Sequence, residues 1–118
     1  MKNAESDLKE RTKAYARRII RLFVSLPNET VAQVLGKQML RSGTSVGANY
    51  REANRGRSKA EFVAKVGDCL REVDETAYWL ELLVDEKLVS APKMAALIDE
   101  TQQLTAIFVT ILKKAKGQ

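Results

Sequence analysis

The sequence predicts an all-α protein, an antiparallel up-down-up-down four-helix bundle. Three observations carry this. Apolar residues recur at spacings of three and four along most of the chain, and no segment alternates with period two. Proline, glycine and capping residues divide the chain into four lengths joined by short turns. Short turns make consecutive helices antiparallel neighbours.

The first helix is expected over about 5–26, where Leu8, Tyr15, Ile19, Leu22, Phe23 and Leu26 share one side. Pro27 stops it, because proline lacks an N–H and restricts the residue before it. Asn28 is the expected cap of the second helix, over about 29–55, with Gly56 as its C-terminal stop. Ser58 and Glu61 then read as a capping box. The third helix follows over about 59–87. Its Val66, Leu70, Val73, Ala77, Leu80 and Val84 repeat in steps of four and three, the seam of a left-handed bundle. Ser90 and Pro92 open the fourth, over about 91–114, which Met94, Leu97, Leu104, Phe108, Ile111 and Leu112 line. One domain, 1–118, holds all four.

Composition removes several kinds of function. Among 118 residues there is no histidine and one cysteine, Cys69. The commonest general base is therefore missing, zinc lacks a ligand set, and no disulfide framework exists. No glycine-rich loop joins a strand to a helix, so no phosphate or dinucleotide fingerprint is present. The chain is read as a non-enzyme with no cofactor and no metal. The longest uncharged helical stretch, Thr101 to Leu112, has twelve residues. A membrane span needs roughly 20. The N-terminal MKNAESDLKER is charged and has no apolar signal core. A cytoplasmic protein without membrane contact is expected, with Cys69 a small apolar residue flanking the core.

Residues 41–58, RSGTSVGANYREANRGRS, are rich in poor helix formers yet are expected to stay largely helical. At about 100° per residue, Val31, Leu35, Ser42, Val46, Asn49 and Ala53 point inward, with Gln38, Arg41, Ser45 and Glu52 on the shoulder. Gln38, Arg41, Ser45, Asn49 and Glu52 would form a polar network that fixes helix register, or alternatively a ligand or nucleic-acid contact. Gly36, Gly43 and Gly47 fall together on another side, where a neighbouring backbone is expected to come close.

Two surface features point to partners. Tyr78, Trp79 and Leu82 lie off the third helix's seam, and a lone bundle would expose them. They are candidates for a homo-oligomer interface. The net charge of +5 is uneven: residues 1–27 carry seven Lys/Arg against three acids, and residues 57–87 five against eight. Lys13, Arg17 and Arg21, flanked by Arg11 and Arg18, form a basic stripe, and Arg51, Arg55, Arg57 and Lys59 cluster at the second turn. Such cations suit a phosphate backbone, RNA or DNA, bound with salt sensitivity and little sequence preference. The alternative is a protein–protein assembly or adaptor module in which the basic helix makes subunit contacts.

The segment LPNETVAQVLGKQMLRSGTSVGANYREANRGRSKAEFVAKVGDCLREVDETAYWLELL, residues 26–83, resembles the four-helix bundle proteins encoded in intervening sequences of bacterial 23S ribosomal RNA genes. That family is related to the accessory variability proteins of diversity-generating retroelements. The resemblance rests on Gln38, Arg41, Ser42, Ser45, Asn49 and Glu52, then Arg57, Ser58 and Phe62. Family members often have Glu-Gly where this chain has Glu52-Ala53, which favours a longer second helix. The resemblance implies a ring-like homopentamer. In the retroelement relatives it implies a basic surface that contacts nucleic acid and a reverse transcriptase.

Overall fold

Four helices and no strand make up residues 4–117, the residues that the computed structural model describes, with side chains from Asp7 onward. Helix α1 spans Ala4–Ser25, α2 Thr30–Asn54, α3 Lys59–Asp85 and α4 Ala91–Ala115. Residues 1–3 of the charged N-terminal segment lie outside the described residues. No helix is long and apolar enough to cross a membrane.

Local chemistry explains each boundary. Glu29, not Asn28, caps α2: its carboxylate accepts from the N–H groups of Val31 (2.7 Å) and Ala32 (3.3 Å). A carboxylate reaches two orphan donors at once and meets the positive helix end. At the other end, Arg55 N–H donates to Glu52 O and Gly56 N–H to Ala53 O, both at 3.1 Å. The last turn tightens without any left-handed residue, so Gly56 does not act as a left-handed stop. Ser58 Oγ accepts from Glu61 N–H (3.1 Å), but Glu61 returns to the N–H of Arg57 (2.6 Å) rather than to that of Ser58. The left-handed stop occurs instead after α3, at Lys87 with φ 59°. Leu88 N–H reaches Leu83 O and Lys87 N–H reaches Val84 O, each at 2.9 Å, which is a Schellman motif.

The helices surround one core, in which Tyr15, Ile19, Met39, Val46, Val66, Val73, Leu80, Leu83, Met94, Leu104 and Phe108 are essentially fully buried. Burial of each large side chain contributes about 1.5–3 kcal/mol. Two inward faces differ from the sequence reading. On α3 the core line is Val66, Cys69, Val73, Thr76, Leu80 and Leu83, while Leu70, Ala77 and Val84 are half-buried at the α4 edge. The spacing of three and four is kept, but its phase is turned because Cys69 and Thr76 occupy core positions. On α2, Ala32, Met39 and Tyr50 face inward with Ser42, Val46 and Ala53. Val31 is exposed, and Leu35 and Asn49 are only half-buried. The glycines cause this rotation, because α1 lies on them.

A methyl group on Gly43 would stand 2.8 and 2.9 Å from Ile19 Cγ1 and Cγ2. On Gly36 it would meet Leu26 Cδ1 at 2.5 Å, and on Gly47 Thr12 Oγ1 at 3.1 Å and the Thr12 backbone at 3.5 Å. The expected close neighbour is therefore α1, which meets two of the glycines with side chains and Gly47 with backbone as well. Two hydroxyl pairs cross the core. Thr76 donates to Ser42 Oγ (2.8 Å), and Ser42 donates onward to Met39 O (3.3 Å). Tyr15 donates to Thr101 Oγ1 (2.7 Å), which donates to Leu97 O (2.7 Å).

Burial pushes Tyr15 from an ordinary 10.0 up to about 12, and the Cys69 thiol from 9.0 up to about 12. Both are acids whose neutral form the fold prefers. Their contribution is complete below about pH 9 and is lost as pH rises toward 12. Thermal melts across this range should show stability falling above about pH 10, less steeply for Tyr15→Phe. Cys69 should resist thiol reagents until the chain unfolds. Gly43→Ala should destabilise by about 1–3 kcal/mol, because β-branched Ile19 cannot swing aside. Gly67→Ala, with nothing within 4 Å of the new methyl, should stabilise by up to about 1 kcal/mol in urea denaturation.

Candidate functional site

Among the five residues expected to form a polar network, the side chains of Ser45 and Asn49 bond only to backbone carbonyls of the same helix, and no side chain of the five is seen bonded to another. Gln38 is exposed. Ser45 Oγ donates to Arg41 O (2.7 Å) and Asn49 Nδ2 to Ser45 O (3.0 Å), both within α2. Glu52 accepts from Lys65 on α3 (2.8 Å), and the hydrogen bond raises the pKa of Lys65. Arg41 spans to α3, where its guanidinium grips Glu72 (3.0 Å) and Glu75. Glu72 is the one buried carboxylate among the described residues. The ridge is thus an edge zipped to α3, because short hydroxyls satisfy themselves on the preceding turn. Of the five, Arg41 and Glu52 are the two seen to cross to α3.

The candidate nucleic-acid cations fall into three places. Lys13 of α1 and Arg51 of α2 meet across an open cleft of about 370 Å³, joined by Lys9 and floored by Gly47 and Ala48. Arg18 and Arg21 line the groove toward α4 with Lys93. Arg17 is exposed on α1 near both. Arg55, Arg57 and Lys59 stand exposed on the α2–α3 turn. The flanking Arg11 is different: it forms a fork to Glu100 (2.8 and 2.7 Å) and reaches Gln103 (2.7 Å) on α4. That hydrogen-bonded carboxylate raises its pKa. Among the described residues, the ion-pairing cations are Arg11, Arg41, Lys65 and Arg71, and none belongs to the eight candidates.

Of the proposed interface residues, Tyr78 is 54% exposed and Leu82 half-buried. Trp79 is not bathed in solvent: it packs partly on the core and donates through Nε1 to Glu75 (3.2 Å). The Tyr78 ring meets it edge-on at 5.2 Å. The rotation of α2 adds two residues that periodicity missed, Val31 and Val34, 50% and 56% exposed.

One feature had no sequence signal. At the end of the molecule that holds the α2–α3 turn, a cleft of about 430 Å³ opens among Leu8, Tyr50, Asn54, Phe62, Ile107 and Ile111, with Asp7 and Arg11 at its rim. The Asn54 side-chain nitrogen is buried and has no hydrogen-bond partner. Such an orphan costs about 1–3 kcal/mol. Composition gives no hint of it, since the lining comes from all four helices.

The family model described as 23S rRNA-intervening sequence protein matches residues 4–110. A crystal structure from Bacteroides thetaiotaomicron, of a protein with unknown function from the S23 ribosomal protein family, superposes with a TM-score of 0.87 at 36% identity. The match covers 92% of this chain and 97% of that one. No curated protein matches at a significant level.

Arg41→Ala should cost about 1–3 kcal/mol in urea unfolding, since it leaves the Glu72 carboxylate without its cation. Arg71→Ala, which removes an exposed i,i+3 pair with Asp68, should change stability by no more than about 0.5 kcal/mol.

Proposed function

The chain belongs to the 23S rRNA-intervening sequence protein family, and on that premise we propose a non-enzymatic, cytoplasmic assembly that binds nucleic acid through exposed cations, with little sequence preference. Each protomer in this reading is an antiparallel up-down-up-down bundle. Arg11 beside Glu100, and Arg18, Leu22 and Ser25 beside Lys93, Met94 and Leu97, support opposed α1 and α4. Glu52 beside Lys65, with Ser42 beside Thr76, supports the same for α2 and α3.

The observation that carries the nucleic-acid reading is the division of cations. Arg11, Arg41 and Lys65 are consumed in bonds between helices, and Arg71 in a pair within α3. The eight candidates are left without ion pairs among the described residues, and two of them converge from different helices on the Lys13–Arg51 cleft. Uncompensated like charges repel one another in the free protein and are relieved by a polyanion that releases its counterions. RNA and DNA both fit this chemistry.

Self-association into a ring-like homo-oligomer, a pentamer in the reading drawn from the family, is proposed on the exposed apolar residues of α2 and α3. Val31, Val34 and Tyr78 are each at least half exposed. The same surface favours a second reading, an assembly or adaptor module that meets another protein, such as a reverse transcriptase-like partner.

Titration of labelled RNA and DNA should show affinity falling steeply between low and physiological salt. Lys13→Glu with Arg51→Glu should weaken every sequence by a similar factor. No binding at low salt, with an unchanged absorbance ratio after a high-salt wash, would favour the adaptor reading. Tyr78→Ser with Val34→Ser should lower the mass measured by sedimentation while helicity is retained; an unchanged mass would remove this surface as the interface.

A further inference from the structure

We infer that the cleft at the α2–α3 turn takes an unpaired nucleobase, so that the protein prefers single-stranded to duplex nucleic acid. This deepens the nucleic-acid reading above and rests on it. Half-buried Phe62 supplies ring surface, and Ile107 and Ile111, with the core residues Leu8 and Tyr50 behind them, close the remaining walls. A cleft of about 430 Å³ is of the size that holds a small planar ligand. The Asn54 amide, buried without a partner, supplies a donor that a purely apolar ligand would leave unsatisfied. With the side chain turned into the cleft, a carbonyl oxygen or ring nitrogen of a base accepts from it.

The surrounding charge specifies what the base is attached to. Asn54 and Phe62 both line the cleft, and the chain between them contains Arg55, Arg57 and Lys59, all exposed. A base seated against Asn54 therefore brings its phosphates beside these cations. In a duplex the base faces are stacked and the pairing edges occupied, so only an unpaired base enters such a cleft. Arg11, at the rim, is already held by Glu100 and Gln103, and acts there as a fixed wall.

Fluorescence anisotropy with a short labelled single strand, its duplex and a free mononucleotide tests this on the full chain. The single strand should bind about tenfold more tightly than the duplex, with the mononucleotide weakest. Asn54→Leu should remove most of that preference and leave duplex affinity unchanged, with a melting temperature equal to or above that of the parent. Phe62→Ala should act in the same direction. Equal loss on single strand and duplex, or no loss with Asn54→Leu, overturns the cleft and leaves the basic-surface reading standing. A mononucleotide that binds as tightly as the strand overturns the strand assignment. Absence of binding to any probe at low salt overturns both readings.

Discussion

The approach of α1 to the glycine flank of α2 is the constraint on which the remaining arrangement depends. A Cβ would clash with Ile19 at Gly43, push the end of the Leu26 side chain aside at Gly36, and crowd Thr12 at Gly47. Each glycine in a helix interior costs about 1 kcal/mol relative to alanine, and the contact it permits offsets that cost through dispersion and burial. With α1 seated there, α2 must turn Met39, Val46 and Tyr50 to the centre and present Arg41 and Glu52 to α3. Val31 is carried outward by the same rotation. The cleft floored by Gly47, in which Lys13 and Arg51 meet, is another result of that contact.

Charge is distributed by the same logic. Where two helices are already packed, cations close to acids become ties: Arg11 to Glu100, Arg41 to Glu72 and Lys65 to Glu52. Exposed ties of this kind contribute little to stability, and a buried carboxylate such as Glu72 makes its partner matter more. On the outer face of α1 and at the α2–α3 turn, cations outnumber the acids beside them, Glu10 and Glu61, and these surfaces stay positive.

Periodicity made the helices legible, because spacings of three and four and well-placed proline and serine are local signals. It fixed most of the α1 and α4 core, including Tyr15, Ile19, Leu104 and Phe108. It set the wrong phase on α3, since Cys69 was read as only flanking the core and Thr76 looks polar, yet both fill core positions, and Thr76 does so because Ser42 accepts its proton. It also put Val31 inside, because a valine in a helical repeat carries no mark of which neighbour will claim the glycine side. The basic residues were visible one by one. Their grouping across α1 and α2 was not, because residues 13 and 51 become neighbours only through packing. The Asn54 cleft was least visible: an unsatisfied amide is a property of surroundings drawn from four segments, and no spacing rule describes it.

The hydroxyl pairs have one more consequence. Apolar seams built from similar side chains slide past one another at small cost, since one methyl group replaces another. Ser42 with Thr76, and Tyr15 with Thr101, work as pegs in an otherwise greasy joint. Displacement by a single turn would break both bonds between helices and strand the Tyr15 hydroxyl, while Ser42, Thr76 and Thr101 would keep only the bonds to their own helices. Alignment along the long axis is thus quantised rather than graded, and whatever surface the ends of the four rods create together is reproduced identically in every copy.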